Sequence, residues 1–289
     1  MEVVVEIVDA QIHPPDPATP WVYGEDSKIA LSCELAREAM DSVGVDAALI
    51  HTGNAAYCEF AIETYPDRFA GCLTFDPNDT EVANFVSGYR NRPGMLALRT
   101  IARSWVDGKL TEDFIEGRFE PAYDVAEKHN VPMFIQAAGY LPSDLTPVVR
   151  NHPNLLFVLD HVGLDQQPGV VPDDPWERLP EVLEMARFAN VALKLTGVPT
   201  LARSPFPFTD VWPYVHQVID AFGANRVMWG SDFTRMRYAP RSVERGPRAG
   251  WFGLYSDAVN FIRDTEELTD DVKEQLLGGT IRRLLSWNT

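Results

Sequence analysis

The stretch L-L-F-V-L-D-H-V-G (residues 155–163) decides how the chain folds. Five apolar residues run without a break and end on the polar pair Asp160 and His161. The run is too short for a typical helix and apolar at every position, the pattern of a strand covered on both faces. The same shape recurs at V-V-V-E-I-V (3–8), V-D-A-A-L-I (45–50), F-A-G-C-L-T-F (69–75), M-L-A-L-R-T-I (95–101), V-P-M-F-I (131–135), V-A-L-K-L (191–195) and R-V-M-W-G (226–230). With 155–159, eight strands are expected.

Between these runs the apolar period lengthens to that of a helix. Residues 27–42 bring Ile29, Leu31, Leu35, Ala36 and Met40 towards one face. Residues 111–128 open on Thr111 as an N-cap and carry Phe114, Ile115, Phe119, Ala122 and Ala126. Residues 176–189, 208–222, 251–264 and 269–286 read similarly. Strands alternating with helices imply a parallel sheet. Eight such units in about 250 residues fit an α/β fold of the (β/α)8, TIM-barrel kind, here a single domain over residues 1–289. No G-x-G-x-x-G follows the first strand, as an open dinucleotide-binding sheet would need.

In such a barrel the C-terminal strand ends carry the chemistry, and here those ends are polar. They present Asp9, Gln11 and His13; His51 and Thr52; Asp76; Arg99 and Arg103; Gln136; Asp160 and His161; Lys194 and Thr196; and Ser231 and Asp232. Asp9, Gln11 and His13 fall at alternate positions, so an extended strand would point all three the same way. Asp232, in W-G-S-D-F, is the candidate general base for an attacking water, the more so if partial burial raises its pKa towards neutrality. His161 has the chemistry to polarise a carbonyl, ligate a metal or pass a proton to a leaving group. Asp160 is expected on the opposite face, bonded to backbone. Arg99, inside an apolar strand, either pairs with a buried carboxylate or faces the pocket and grips a substrate carboxylate; the second reading is taken here. Lys194 poses the same question. Gln136 and Arg103 join the substrate-binding candidates. So do Trp21 and Tyr23, from a proline-rich first loop that reads equally well as a lid or as a stiff surface segment. Arg235 and Arg237 fall in loops above the mouth. His129, His152 and His216 are expected to be structural, and His51 is either a site residue or a helix cap.

Composition narrows the function. A net charge of −17 and a pI near 4.7 argue against nucleic acid and anionic membranes, both of which need a basic surface. No stretch of about 18 apolar residues predicts a membrane span. Acidic residues near the start do not suit a signal peptide, and Cys33, Cys58 and Cys72 are too scattered for a disulfide framework. A cytoplasmic setting is therefore expected, with a homo-oligomer left open.

V-D-A-Q-I-H, V-L-D-H-V-G, A-L-K-L-T-G and V-M-W-G-S-D-F, taken in order along almost the whole chain, resemble the amidohydrolase-related (amidohydrolase 2) family, closest to its sugar-lactonase and 2-pyrone-4,6-dicarboxylate lactonase group. The resemblance implies a distorted TIM barrel, with Asp232 as the strand-eight catalytic Asp, His161 as the strand-six His and His13 as the second His of the strand-one motif. It also implies that lactonases of this group work largely without metal, whereas decarboxylase and hydratase cousins bind one divalent ion, zinc or manganese. Two departures stand out. Gln11 occupies the first His position of the strand-one pair, and Gln136 stands where metal sites of the superfamily often present Lys or His. A mononuclear site would keep only His13, His161 and Asp232, so no metal is expected.

The resulting expectation is a hydrolase that opens a lactone or similar cyclic ester, carrying a carboxylate held by Arg99. Asp232 would activate water, while His161, His13 and Gln11 polarise the carbonyl. The alternative is a divalent-metal-dependent decarboxylase or hydratase of an aromatic or unsaturated acid.

Overall fold

The structure, a computed structural model, describes residues 5–17, 24–104, 109–136, 141–166, 173–236 and 254–288. Eight parallel strands follow one another around a sheet in chain order: β1 Val8–Ile12, β2 Ala47–Thr52, β3 Phe69–Thr74, β4 Met95–Ile101, β5 Met133–Gln136, β6 Phe157–Leu159, β7 Val191–Thr196 and β8 Val227–Gly230. Ladders join each strand to the next from β1 through β8. The seam between β8 and β1 is drawn together by Asp232 N donating to Gln11 O (2.9 Å) and Ser231 N donating to Asp9 Oδ1 (2.8 Å). The result is a nearly closed (β/α)8 barrel.

Side chains alternate between two apolar layers, as the continuous apolar runs require. Val8, Ala10, Leu49, Cys72, Ala97, Phe134, Val158, Ala192 and Met228 fill the barrel, and Ile281, Leu285 and Trp287 of the C-terminal segment pack against this filling. The outward residues of the same strands meet the surrounding helices. Small inward side chains on β1 to β4 leave room for Phe134 and Met228, and Gly230 has no room for a side chain. A Cβ there would lie 2.8 Å from Thr196 Oγ1 and 3.1 Å from the Gln11 backbone nitrogen.

Four expectations change. The first strand is Val8–Ile12, so V-D-A-Q-I is itself the strand; residues 5–7 of the expected 3–8 run precede it, and residues 3 and 4 lie outside the described residues. Its register against β2 slips by one residue between Asp9 and Ile12: Asp9 lies beside Ala48, Ile12 beside Ile50, and two residues of β1 answer one of β2. Such a bulge reverses the alternation. Asp9 therefore does not share a face with Gln11 and His13. It turns outwards and accepts from Gln11 N, Ser231 N, Ser231 Oγ and Tyr255 OH.

Asp160 is likewise not on the outer face. It continues the inward parity of Val158 and lies inside the barrel between Arg99 and Lys194. Finally, residues 111–128 make two helices, Glu112–Ile115 capped by Thr111 as expected, and Glu120–His129. Gly117, at φ +70°, breaks the first, and Pro121 in the first turn starts the second. His51 is no cap, because the Asn54 side chain caps the helix Ala55–Thr64.

Candidate active site

The bulge that turns Asp9 out turns Gln11 and His13 in, and the other strand ends meet them. Gln11 Nε2 lies 3.3 Å from His13 Nε2 and 3.4 Å from His161 Nε2, while His13 Nε2 lies 3.2 Å from Asp232 Oδ1. Thus four residues from β1, from the end of β6 and from the end of β8 form one buried cluster. Each is held from behind. His13 N donates to Thr234 Oγ1 (2.9 Å), and Gln166 lies against His161, with Oε1 at 3.2 Å from Nδ1.

The backbone at this cluster is unusual. Asp232, His161 and Val162 have φ of +54°, +55° and +60°, the left-handed region that residues other than glycine rarely adopt. For the β-branched Val162 this is a marked outlier. Such conformations cost of order 1–3 kcal/mol each and concentrate at functional sites. Here they bend the chain just past β6 and β8.

Beneath the cluster sits a buried ion triad. Asp160 Oδ2 accepts a hydrogen bond from Arg99 Nε (2.7 Å) and lies within ion-pairing distance of Nη2 (2.6 Å), while Lys194 Nζ lies 2.8 Å from its other oxygen. The two cations proposed for an anionic substrate are thus both paired with Asp160. This is the first of the two roles left open for Arg99, not the one taken above. Arg103 pairs with Asp165 and is fully buried. Lys194 also lies 3.4 Å from His51 Nε2, which in turn is 3.0 Å from Ala10 O, so His51 belongs to the layer supporting the mouth.

Burial and charge set the protonation states. Burial lowers the pKa of His13 and of His161 below the ordinary imidazole value, and the nearby Asp232 only partly restores it. For Asp232, burial alone would raise the carboxyl, but His13, His161 and Arg99 together outweigh it and hold it at about 2. The condition of a pKa raised towards neutrality is therefore not met: the group is ionised throughout the neutral range. Burial and the two cations act oppositely on Asp160, and the cations win, keeping it charged.

Several buried polar atoms at these strand ends form no hydrogen bond with the described residues: Gln11 Oε1, both amide atoms of Gln136, Thr196 Oγ1 and Asp232 Oδ1. Asp232 Oδ1 is within ion-pairing distance of His13 but off the line of a good hydrogen bond. Buried polar groups are ordinarily satisfied, so a set of unpartnered ones from β1, β5, β7 and β8 marks where a polar small molecule and its water would bind. The sequence reading assigned Gln11 a donor role towards substrate. Instead its amide nitrogen faces the two imidazoles, and its carbonyl oxygen is the unpartnered atom.

His13, His161 and Asp232 were the set proposed for a metal, should one be held. Among the described residues no three His, Cys, Asp or Glu side chains come together in a metal-holding group. The amide nitrogen of Gln11 stands next to both imidazole Nε2 atoms, where a metal-holding His-x-His strand would bring a second imidazole.

Trp21, Tyr23 and Arg237 lie outside the described residues, and Arg235 is exposed at the rim. His152 pairs with Glu120 Oε2 (2.8 Å) and His216 with Glu267 (3.2 Å), both away from the cluster. Gln166 is the residue that sequence reasoning missed. It sits in a polar loop, L-D-Q-Q-P, that reads as solvent-facing, and its place five residues after His161 was the one clue.

The amidohydrolase family model matches residues 8–287. The L-fucono-1,5-lactonase of Burkholderia ambifaria is 27% identical over 179 residues, 61% of this chain and 59% of that protein. The 4-sulfomuconolactone hydrolase of Rhizobium radiobacter is 30% identical over 82 residues, 28% of this chain and 26% of that one. The chain thus aligns with less than two thirds of either relative's length. Among solved structures, an amidohydrolase from Burkholderia multivorans with bound zinc superposes with a TM-score of 0.69 at 18% identity, covering 97% of this chain and 99% of that one.

Proposed function

From the premise that the chain belongs to the amidohydrolase family, we propose that it is a hydrolase that opens a lactone or similar cyclic ester by water attack, without a metal. The observation that carries this reading is Asp232: an ionised carboxylate at the end of β8, 3.2 Å from a neutral imidazole, with one oxygen lacking a formed hydrogen bond. The two lactone-hydrolysing relatives support the same bond type.

In this reading Asp232 takes a proton from water as the water oxygen bonds to the lactone carbonyl carbon. The negative charge moves to the carbonyl oxygen, and N–H donors at the mouth receive it. Gln136 has an amide N–H with no partner of its own, and one well-placed donor to an oxyanion supplies roughly 3–4 kcal/mol. Collapse of the intermediate breaks the ring C–O bond, and the leaving oxygen recovers the proton from Asp232. The product is the open hydroxy acid, and atoms and charge balance. His13 orients the carboxylate, and Gln11 spaces the two imidazoles.

The substrate's charge also changes. A carboxylate-bearing substrate was expected because Arg99 was to hold it, but Arg99, Lys194 and Arg103 are each paired with an aspartate. The Gln11 carbonyl oxygen, the Gln136 amide and the Thr196 hydroxyl form no hydrogen bond with the described residues, and the buried Arg99 Nη2, which also forms none, lies 2.6 Å from Asp160 Oδ2 as an ion pair. With the cations so paired, the neutral groups favour a hydroxylated, uncharged lactone ring over an anionic one. A pH-indicator screen of sugar 1,5- and 1,4-lactones beside carboxylated lactones tests the reading. Acid release from the hydroxylated members is expected, and inertness towards every lactone in the panel refutes it.

A further inference from the structure

We propose that Gln166 is a positioning residue that fixes the tautomer of His161, placing the ring proton on Nδ1 and leaving Nε2 as a bare acceptor facing Gln11. The assignment follows from what surrounds the Gln166 amide. Its Nε2 lies 3.0 Å from His161 O and 2.9 Å from Thr196 O. Only an N–H group can serve two carbonyl oxygens, so the atom 3.2 Å from His161 Nδ1 is the amide oxygen. An amide oxygen accepts and cannot donate, so Nδ1 must carry the hydrogen. In a neutral imidazole the other nitrogen is then unprotonated, and Nε2 accepts the Gln11 amide N–H at 3.4 Å.

The loop is shaped for this contact. His161, Val162 and Gly163 are consecutive left-handed residues, at φ +55°, +60° and +67°. They turn the chain back so that Gln166, five residues on, reaches the ring and the end of β7 together. A Cβ on Gly163 would meet Val182 at 3.2 Å, so the turn is packed against the helix Leu179–Leu183. Gln166 therefore ties β6 to β7 with its nitrogen and orients His161 with its oxygen.

This deepens the hydrolase reading, and its kinetic part rests on that reading: His161 would serve the site as a proton acceptor and as anchor for Gln11, not as a resting donor to the carbonyl. Two variants separate orientation from mere loop tethering. Gln166→Met keeps the volume and removes both functions. Gln166→Glu loses the N–H donors but keeps an oxygen for Nδ1–H.

Long-range proton–nitrogen spectra of the free, histidine-labelled protein are expected to show His161 protonated on Nδ1 in wild type and in Gln166→Glu, and a mixed or inverted tautomer in Gln166→Met. In turnover of the best lactone from the screen, Gln166→Met is expected to lower kcat about 10- to 100-fold with KM within about threefold. Gln166→Glu is expected to stay within about threefold of wild type even if its melting temperature falls. An Nε2-protonated His161 in wild type overturns the proposal whether or not any lactone is a substrate. Equal kinetic loss in both variants also overturns it, because that is the behaviour of a tether alone.

Discussion

His13 Nε2 and Asp232 Oδ1 stand 3.2 Å apart, joining the first strand of the barrel to the last through a carboxylate held at about 2 and an imidazole held below its ordinary value. In the neutral range this pair is therefore an anion beside a neutral ring. The pH dependence follows from these directions. With a depressed pKa in the folded protein, Asp232 stabilises the fold above the unfolded value of 3.8, and that contribution is lost as pH falls towards 2. His13 and His161, also depressed, favour the fold while neutral, and their contribution declines as pH falls below 6.5. The profile of kcat/KM is expected to be flat through neutrality, with its acid limb below 6.5. An acid limb at 7 or above would contradict these protonation states.

Gln136 offers a test that separates site from scaffold. Its amide atoms are buried and make no hydrogen bond with the described residues, so replacing it removes none of the bonds described. Gln136→Leu is expected to leave denaturant stability unchanged or slightly raised, while kcat/KM falls about 10- to 100-fold. Loss of stability with unchanged turnover would place this side chain in the scaffold instead.

The ion triad predicts an asymmetry. Asp160 neutralises both Arg99 and Lys194, so Asp160→Asn leaves two buried cations facing each other and is expected to cost about 3–5 kcal/mol in urea unfolding. Lys194→Met leaves the Arg99 pair intact and is expected to cost clearly less. Equal losses would show that the triad does not share its charge in this way.

Gln11 predicts a gain of function. With an imidazole in its place the strand would carry the His-x-His pair beside Asp232. Gln11→His is expected to raise zinc affinity by more than about tenfold, as measured by isothermal titration of the purified protein. Wild type binding zinc as tightly as the variant would contradict the donor geometry described above.

The barrel was legible in the sequence because strands buried on both faces need unbroken apolar runs, and those runs recur from Val45 to Gly230 with room for a helix between them. The cluster of Gln11, His13, His161 and Asp232 was legible because the fold gives all strand ends one address. The errors have identifiable causes. Asp9, Gln11 and His13 were read as one face by simple alternation, and the bulge between Asp9 and Ile12 that breaks it leaves no local mark in composition. The partner of Arg99 lies 61 residues away, beyond any periodicity argument. Gln166 stayed hidden because a glutamine in a polar loop ordinarily faces water, and only the left-handed turn at His161–Gly163 brings it back to the ring.

The central claim is that Asp232 activates water for lactone opening without a metal. It is tested most directly by initial rates of acid release from the best lactone, using wild type and Asp232→Asn protein whose metal content has been measured after chelation. The account predicts that metal-free wild type keeps its rate and that Asp232→Asn, folded to the same melting temperature within a few degrees, loses about 100- to 10,000-fold in kcat. A wild type that loses its rate on chelation and regains it with zinc or manganese, or an Asn variant that hydrolyses at the wild-type rate, would contradict it.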